Sequence, residues 1–291
     1  MKKAVFLTFG DGGCNYRGAG RRLAAQARRC GLFGAVYRHD FLTMRRAAPG
    51  AWRKHKSFLL ARANRRGSGY WLWKPLLIRH TLETMTDGDV LLYADAGCEL
   101  LDKSWPEWLD PGLWLDHDAV LFNGRPDGQT VWTNREYTNA CTLAAFGLSN
   151  DRSFLDAPQI VATALAIRKS TRSCAVVDAW LKWSTEDGSA FLRDSERGDE
   201  DPAYIEHRHD QSLLSLVAYQ ARNRGEFAPV ILPSSLIEGS APTFLRAHRH
   251  RSGQPATDLR GALPVDERPI RQDICNALHL NTPYRWLLAA I

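Results

Sequence analysis

The chain of 291 residues has no apolar stretch approaching the ~20 residues that a helix needs to cross a bilayer. It has no Cys-x-x-Cys pair either. Its six cysteines (Cys14, Cys30, Cys98, Cys141, Cys174, Cys275) are scattered. That spacing argues against a structural zinc site and against a dense disulfide framework. Reduced thiols in a cytoplasmic protein are therefore expected. Met1-Lys-Lys-Ala-Val-Phe-Leu-Thr-Phe9 resembles a secretory leader only briefly, because Gly10, Asp11, Gly12 and Gly13 cut the apolar run. No internal repeat or low-complexity linker divides the chain. Lysine is scarce, with 8 of the 38 basic residues, and the rest are arginine.

What is present describes a folded domain. Hydrophobic residues make up 44% of the chain, enough for a sizeable core. The net charge is +6, with basic residues crowded at Arg17–Arg29, Arg45–Arg66 and Arg246–Arg251. Such clusters suit phosphates, nucleic acid or an anionic surface.

The apolar pattern reads as alternating strands and helices. Ala4–Phe9 is a strand ending at the Gly10–Gly13 turn, followed by a helix from about Arg21 to Cys30 and a strand at Ala35–Tyr37. Pro49–Asn64 reads as a basic helix, and a second helix starts at Lys74-Pro75, where proline is tolerated in the first turn. Val90–Ala94 is a continuous apolar run, the pattern of a central parallel strand covered on both faces. Asp95-Ala96-Gly97 sits at its carboxyl end, where open α/β sheets bind ligands. Ala119–Phe122, Gln159–Ile167 and Val230–Leu232 read as further strands, and Cys174–Trp183 as a helix. Glu186–Asp201 reads as a mobile acidic loop, and Asp210 as the cap of a helix through Val217.

Gly69-Tyr-Trp-Leu-Trp-Lys-Pro75, Tyr93-Ala-Asp-Ala-Gly-Cys98 and His207-Arg-His-Asp-Gln-Ser212, in that order, resemble segments of bacterial and phage glycosyltransferases of the GT-A fold. The resemblance spans residues 1 to about 250. It implies an α/β fold with a GT-A-like, Rossmann-like, mixed but mainly parallel sheet flanked by helices. It further implies a single catalytic domain over 1–291. The donor would bind in about 1–125, and the acceptor in about 126–291, which includes a C-terminal closing segment.

The chemistry explains the residue types. A departing nucleoside diphosphate gains negative charge, which a divalent cation such as Mn²⁺ or Mg²⁺ offsets as a Lewis acid held by oxygen ligands. Asp95 is the expected metal ligand and catalytic residue. Gly97 stands where the family's Asp-x-Asp motif has its second carboxylate, so another ligand is required; by resemblance, His248 and His250 are the candidates, with Arg249 on the diphosphate. The resemblance places Thr8, Gly10 and Asp11 at the base and ribose, with Tyr16 and Arg17 facing the donor. Trp73 offers a stacking face and Lys74 a charge for phosphate. Gly97 lets the backbone approach the ligand, and Ala96 beside it belongs to the same donor-binding turn. His209, Asp210 and Gln211 are expected at the sugar, Asp210 either as a base for the acceptor hydroxyl or as a binder of the donor sugar.

The expected activity is sugar transfer from a nucleotide-sugar, UDP-sugar by default, to a glycan, lipid-linked, protein or modified-DNA acceptor. The basic charge keeps a DNA acceptor in play. A non-catalytic glycan- or nucleic-acid-binding protein is the alternative from a different class, suggested by ten tryptophans and many arginines. A nucleotidyltransferase, which needs more clustered carboxylates, is a third.

Overall fold

The computed structural model describes residues 3–101, 106–194, 199–238 and 244–247. Six strands form one sheet in the order β2-β1-β3-β6-β5-β7. They are β1 (Ala4–Phe9), β2 (Ala35–His39), β3 (Val90–Ala94), β5 (Ala119–Asn123), β6 (Ile160–Arg168) and β7 (Pro229–Pro233). β1 runs parallel to both β2 and β3, and β5 runs parallel to β7. β6 is antiparallel to both of its neighbours, β3 and β5. The sheet is thus mixed and mainly parallel, as the sequence resemblance implies. One detail differs from the sequence reading: β3 has a parallel neighbour on one side only, with Ala94 opposite Ala164 of β6 on the other.

Each face of the sheet carries its own core, because alternate strand residues point opposite ways. Leu7, Phe9, Leu91 and Tyr93 pack against the helices Trp73–Thr84, Thr171–Thr185 and Asp210–Asn223. Phe6, Leu92 and Phe122 face the other way, toward Leu23 and Ala27 of the first helix. Burial on both faces explains why β1 and β3 read as unbroken apolar runs.

The first helix spans Cys14–Cys30, starting seven residues before the apolar pattern suggested. Its opening turns carry Gly18 and Gly20 in place of apolar side chains, so they leave no periodic signal. Gly20 lets the helix approach the β1 loop: a Cβ on Gly10 would lie 3.2 Å from Gly20 Cα and 2.3 Å from the Tyr16 carbonyl oxygen. A second, two-stranded sheet pairs β4 (Cys98–Leu100) with β8 (Leu245–Ala247), setting Cys98 opposite Ala247.

The segment expected as a mobile loop begins as a packed 3-10 turn, Glu186–Leu192, with Ser189 and Leu192 buried. The Phe191 and Leu192 carbonyls bond the rings of His207 and His209, which ties this turn to the start of the Asp210 helix.

Candidate functional site

A cavity of about 1650 Å³ opens at the carboxyl ends of β1 and β3. Phe9 and Gly10 line it from β1, Asp95–Cys98 from the end of β3, and Val161–Thr163 from the facing edge of β6. Residues 60–74 arch over one side, and Glu206 and Arg208 to Gln211 stand on the other.

Its floor holds a buried charge cluster centred on Lys74, the second residue of the Trp73–Thr84 helix. The Lys74 ammonium lies 2.9 Å from Asp210 Oδ2 and 3.3 Å from Asp95 Oδ1, and donates to the Ala162 carbonyl at 2.9 Å. A cation at a helix N-terminus meets the wrong end of the dipole. Burial also disfavours its charge, but Asp210 and Asp95 outweigh these costs and hold its pKa above the ordinary lysine value. The Tyr93 hydroxyl bonds to the same Asp95 oxygen. Burial, and then the Asp95 charge, push that phenol well above its usual range and keep it a donor.

Asp210 is buried, and burial raises its pKa to about 6 against the pull of Lys74. It is the first helical residue of Asp210–Asn223. The capping position belongs to His209, whose side chain makes no capping bond, so the expected capping role for Asp210 is not realised. Its carboxylate turns to Lys74, while its backbone carbonyl accepts from Trp180 Nε1 at 2.9 Å.

The turn after Asp95 is held from below by the first helix. Arg22, fully buried, donates from Nη2 to the carbonyls of Ala96 (2.9 Å) and Cys98 (2.8 Å). Its Nε lies 3.2 Å from Glu99 Oε1, also fully buried. One guanidinium thus fixes both sides of Gly97. Arg22 lies in an arginine-rich stretch of the sequence, and only its burial separates it from its surface neighbours.

The arch contains a left-handed turn. Gly67, Ser68, Gly69, Tyr70 and Trp71 all have φ between 48° and 98°. For the three non-glycine residues this costs on the order of 1–2 kcal/mol each. The turn delivers the Trp71 ring onto His209, with centroids 5.5 Å apart and planes 22° apart, while Tyr70 approaches the same imidazole at 4.9 Å. His209 itself has φ 55°, so strained backbone meets strained backbone across a ring stack beside the cavity. Burial lowers the pKa of His209 to about 4 and of His207 to about 3, leaving both neutral near pH 7.

The cavity gathers Gly10, Asp11, Tyr16, Trp73, Lys74, Asp95, Ala96, Gly97, His209, Asp210 and Gln211 from the sequence-derived set. Thr8 does not line it; the residue is fully buried within β1. Arg17 also stays off the wall, 3.4 Å from Asp11. Asp11 already accepts from the backbone N–H groups of Gly12 and Phe41, both at 2.7 Å, so it braces the β1 loop against the start of the Phe41–Ala47 helix beyond β2. The Trp73 ring is stacked on Phe9 at 4.0 Å and its Nε1 donates to Gly67, which assigns it to packing. Trp71 and Trp132 are the more open tryptophans on the wall. Gln211 accepts from Ala162 N–H at 3.2 Å and donates to Gln159 at 2.6 Å, which ties β6 to the Asp210 helix. His207 lies away from the wall, bonding Phe191 and accepting from Asn139 N–H. His248, Arg249 and His250 fall outside the described residues.

Among the described residues, no group of three His, Cys, Asp or Glu side chains is placed to hold a metal ion. Of the expected ligands Asp95 is the one among the described residues; Tyr93 and Lys74 share its Oδ1, and the side chain is 31% exposed. Ala247, next in sequence to His248, pairs with Cys98 and lines the cavity.

No family model and no curated protein sequence matches the chain. Among solved structures, it is similar to the apo form of mouse xyloside xylosyltransferase 1 at a TM-score of 0.41 and 11% identity, covering 80% of this chain and 86% of that one.

Proposed function

We propose that the chain is a glycosyltransferase that moves a sugar from a nucleotide-sugar, by default a UDP-sugar, to a hydroxyl acceptor. The observation that carries this reading is the Lys74 ammonium held between Asp95 and Asp210 on the floor of a cavity at the strand carboxyl ends. At about 1650 Å³ the cavity exceeds the ~300–1,000 Å³ usual for one small ligand, so it has room for donor and acceptor together.

In this reading the donor's diphosphate lies over the Asp95–Gly97 turn. Lys74 supplies fixed positive charge beneath it, in a buried setting where that charge acts strongly. Asp95, completed by His248 or His250, would hold a divalent cation that offsets the charge of the leaving diphosphate. Asp210 accepts the acceptor hydroxyl's proton or, in a retaining enzyme, braces the sugar as it becomes cationic. A group with a pKa near 6 is ionised at neutral pH and still basic enough for either role.

The test is transfer itself. UDP-, GDP-, CDP- and dTDP-sugars are incubated with Mn²⁺ and a mixed acceptor panel, and free nucleoside diphosphate is measured. Release from one donor class, dependent on Asp210, supports the reading. Pyrophosphate release would indicate nucleotidyl transfer instead, and binding without any turnover would indicate a binding protein.

A further inference from the structure

Most charged side chains on the cavity wall are matched. Lys74 is matched by Asp95 and Asp210, Arg66 by Asp194 (3.4 Å) and Glu206 (3.1 Å), and Arg208 by Glu206 (2.8 Å). Arg62 and Arg65 also line the cavity, but neither has a carboxylate partner among the described residues. Both are exposed, at the rim, whereas Lys74 on the floor is 2% exposed. They belong to a longer one-signed stretch: between Phe41 and Leu82 the chain has ten Lys and Arg residues and no Asp or Glu. Of these, Arg46, Arg53 and Lys54 are exposed as well and lack a described carboxylate partner.

We propose that the acceptor is an anionic glycan chain, carrying carboxylate or sulfate- or phosphate-type groups, that enters the cavity past Arg62 and Arg65. This rests on the glycosyltransferase reading and names the substrate class of the same site. Lys74 on the floor is already held by Asp95 and Asp210, so the rim arginines are the described wall cations left for a partner that extends outward. Two unmatched arginines at the rim, in a segment of the sequence with no carboxylate, suit a chain with repeated charges better than a single small anion.

The same stretch lacks what other polyanions need. None of the large exposed hydrophobic residues (Tyr16, Tyr37, Leu115, Ile205, Leu236) lies between residues 41 and 66, so it offers no apolar anchor for a membrane surface. Single-stranded nucleic acid needs open aromatic faces. Within residues 41–66 Trp52 is buried and the Arg193 guanidinium lies over Phe58 at 5.3 Å, so the open aromatic residues Tyr16, Trp71 and Trp132 lie on the cavity wall and not along this stretch. A duplex would first have to turn a base out of its stack to reach the floor.

The test uses the full chain and direct binding of oligogalacturonate, a heparin-type oligosaccharide and neutral dextran oligomers at low and high salt. It compares wild type with R62S/R65S and with R222S/R224S, which removes two exposed arginines elsewhere. UDP binding and thermal denaturation are measured on every protein. Expected are salt-sensitive binding of the anionic chains only, a loss of about tenfold in R62S/R65S, no loss in R222S/R224S, and UDP binding unchanged in both. Equal losses in the two variants would overturn the proposal, as would loss of UDP binding in R62S/R65S. Tighter binding of length-matched single-stranded DNA or of phosphatidylserine vesicles would also overturn it. Failure of wild type to bind any nucleoside diphosphate refutes the glycosyltransferase reading instead, so the two failures are distinct.

Discussion

Lys74 and Asp210 meet at 2.9 Å although they come from helices that start on opposite sides of the cavity, 136 residues apart in the chain. The contact holds the arch side of the cavity to the sugar side through one buried ion pair. Lys74→Met leaves the Asp95 and Asp210 carboxylates without their shared cation. Removing one partner of a buried pair costs roughly 3–5 kcal/mol, so a clear drop in denaturation temperature is expected. Nucleoside diphosphate affinity should fall further than stability alone explains. A variant of unchanged stability and affinity would show that the pair does no work.

Activity should have an acid limb near pH 6. Burial raises Asp210 from the ordinary 3.8 to about 6, so the carboxylate is present above that value and takes a proton below it. His207 and His209, at about 3 and 4, are neutral across the window and cannot produce that limb. The sign for stability is opposite. The neutral Asp210 carboxyl contributes fully below 3.8, and its contribution is lost as the pH rises through about 6. Asp210→Asn should lose most activity and flatten that slope, measured by kcat/KM at pH 7 and by denaturation from pH 4 to 8, whereas an active variant that keeps the limb would contradict the assignment.

Arg22→Met should destabilise the protein by roughly 3–5 kcal/mol, because it removes the buried cation 3.2 Å from buried Glu99. The double variant Arg22→Met with Glu99→Gln should recover part of this, having no buried charge left. Neither variant restores the bonds to Ala96 and Cys98, so diphosphate affinity should stay low in both while nucleoside affinity persists. Full recovery of diphosphate binding in the double variant would show that the Asp95 turn needs no such support.

Gly69→Ala should be costly for two separate reasons. The residue has φ 98°, and a Cβ there would lie 2.8 Å from Leu59 Cα. A loss of about 1–3 kcal/mol follows from the backbone conformation alone. The Trp71–His209 stack should loosen with it, visible as a change in tryptophan fluorescence.

Strands were legible in the sequence because burial on both faces leaves continuous apolar runs, as at Ala4–Phe9 and Val90–Ala94. The Lys74 and Asp210 helices announced themselves through Lys-Pro and Asp-Gln-Ser. What escaped was set by contacts between distant segments. The antiparallel setting of β6 is a matter of topology, which its composition does not carry. The stacking of Trp73 on Phe9 and the burial of Thr8 depend on pleat and neighbours: Thr8 lies off the wall, and Trp73 lines it with its ring already stacked. Gly69-Tyr-Trp-Leu-Trp-Lys-Pro75 was legible as a motif, while the left-handed turn over Gly67–Trp71 had no periodic signature. Arg22 and Ala162 act through a buried guanidinium and a backbone carbonyl, roles that side-chain identity does not reveal.

The most direct measurement is calorimetric titration of UDP, GDP, CDP and dTDP, with and without Mn²⁺, into wild type and Asp95→Ala. Mn²⁺-dependent binding of one diphosphate to wild type, and its loss in a folded Asp95→Ala protein, is the expected result. Absence of binding by all four to folded wild-type protein, or equal binding to both proteins, would contradict it.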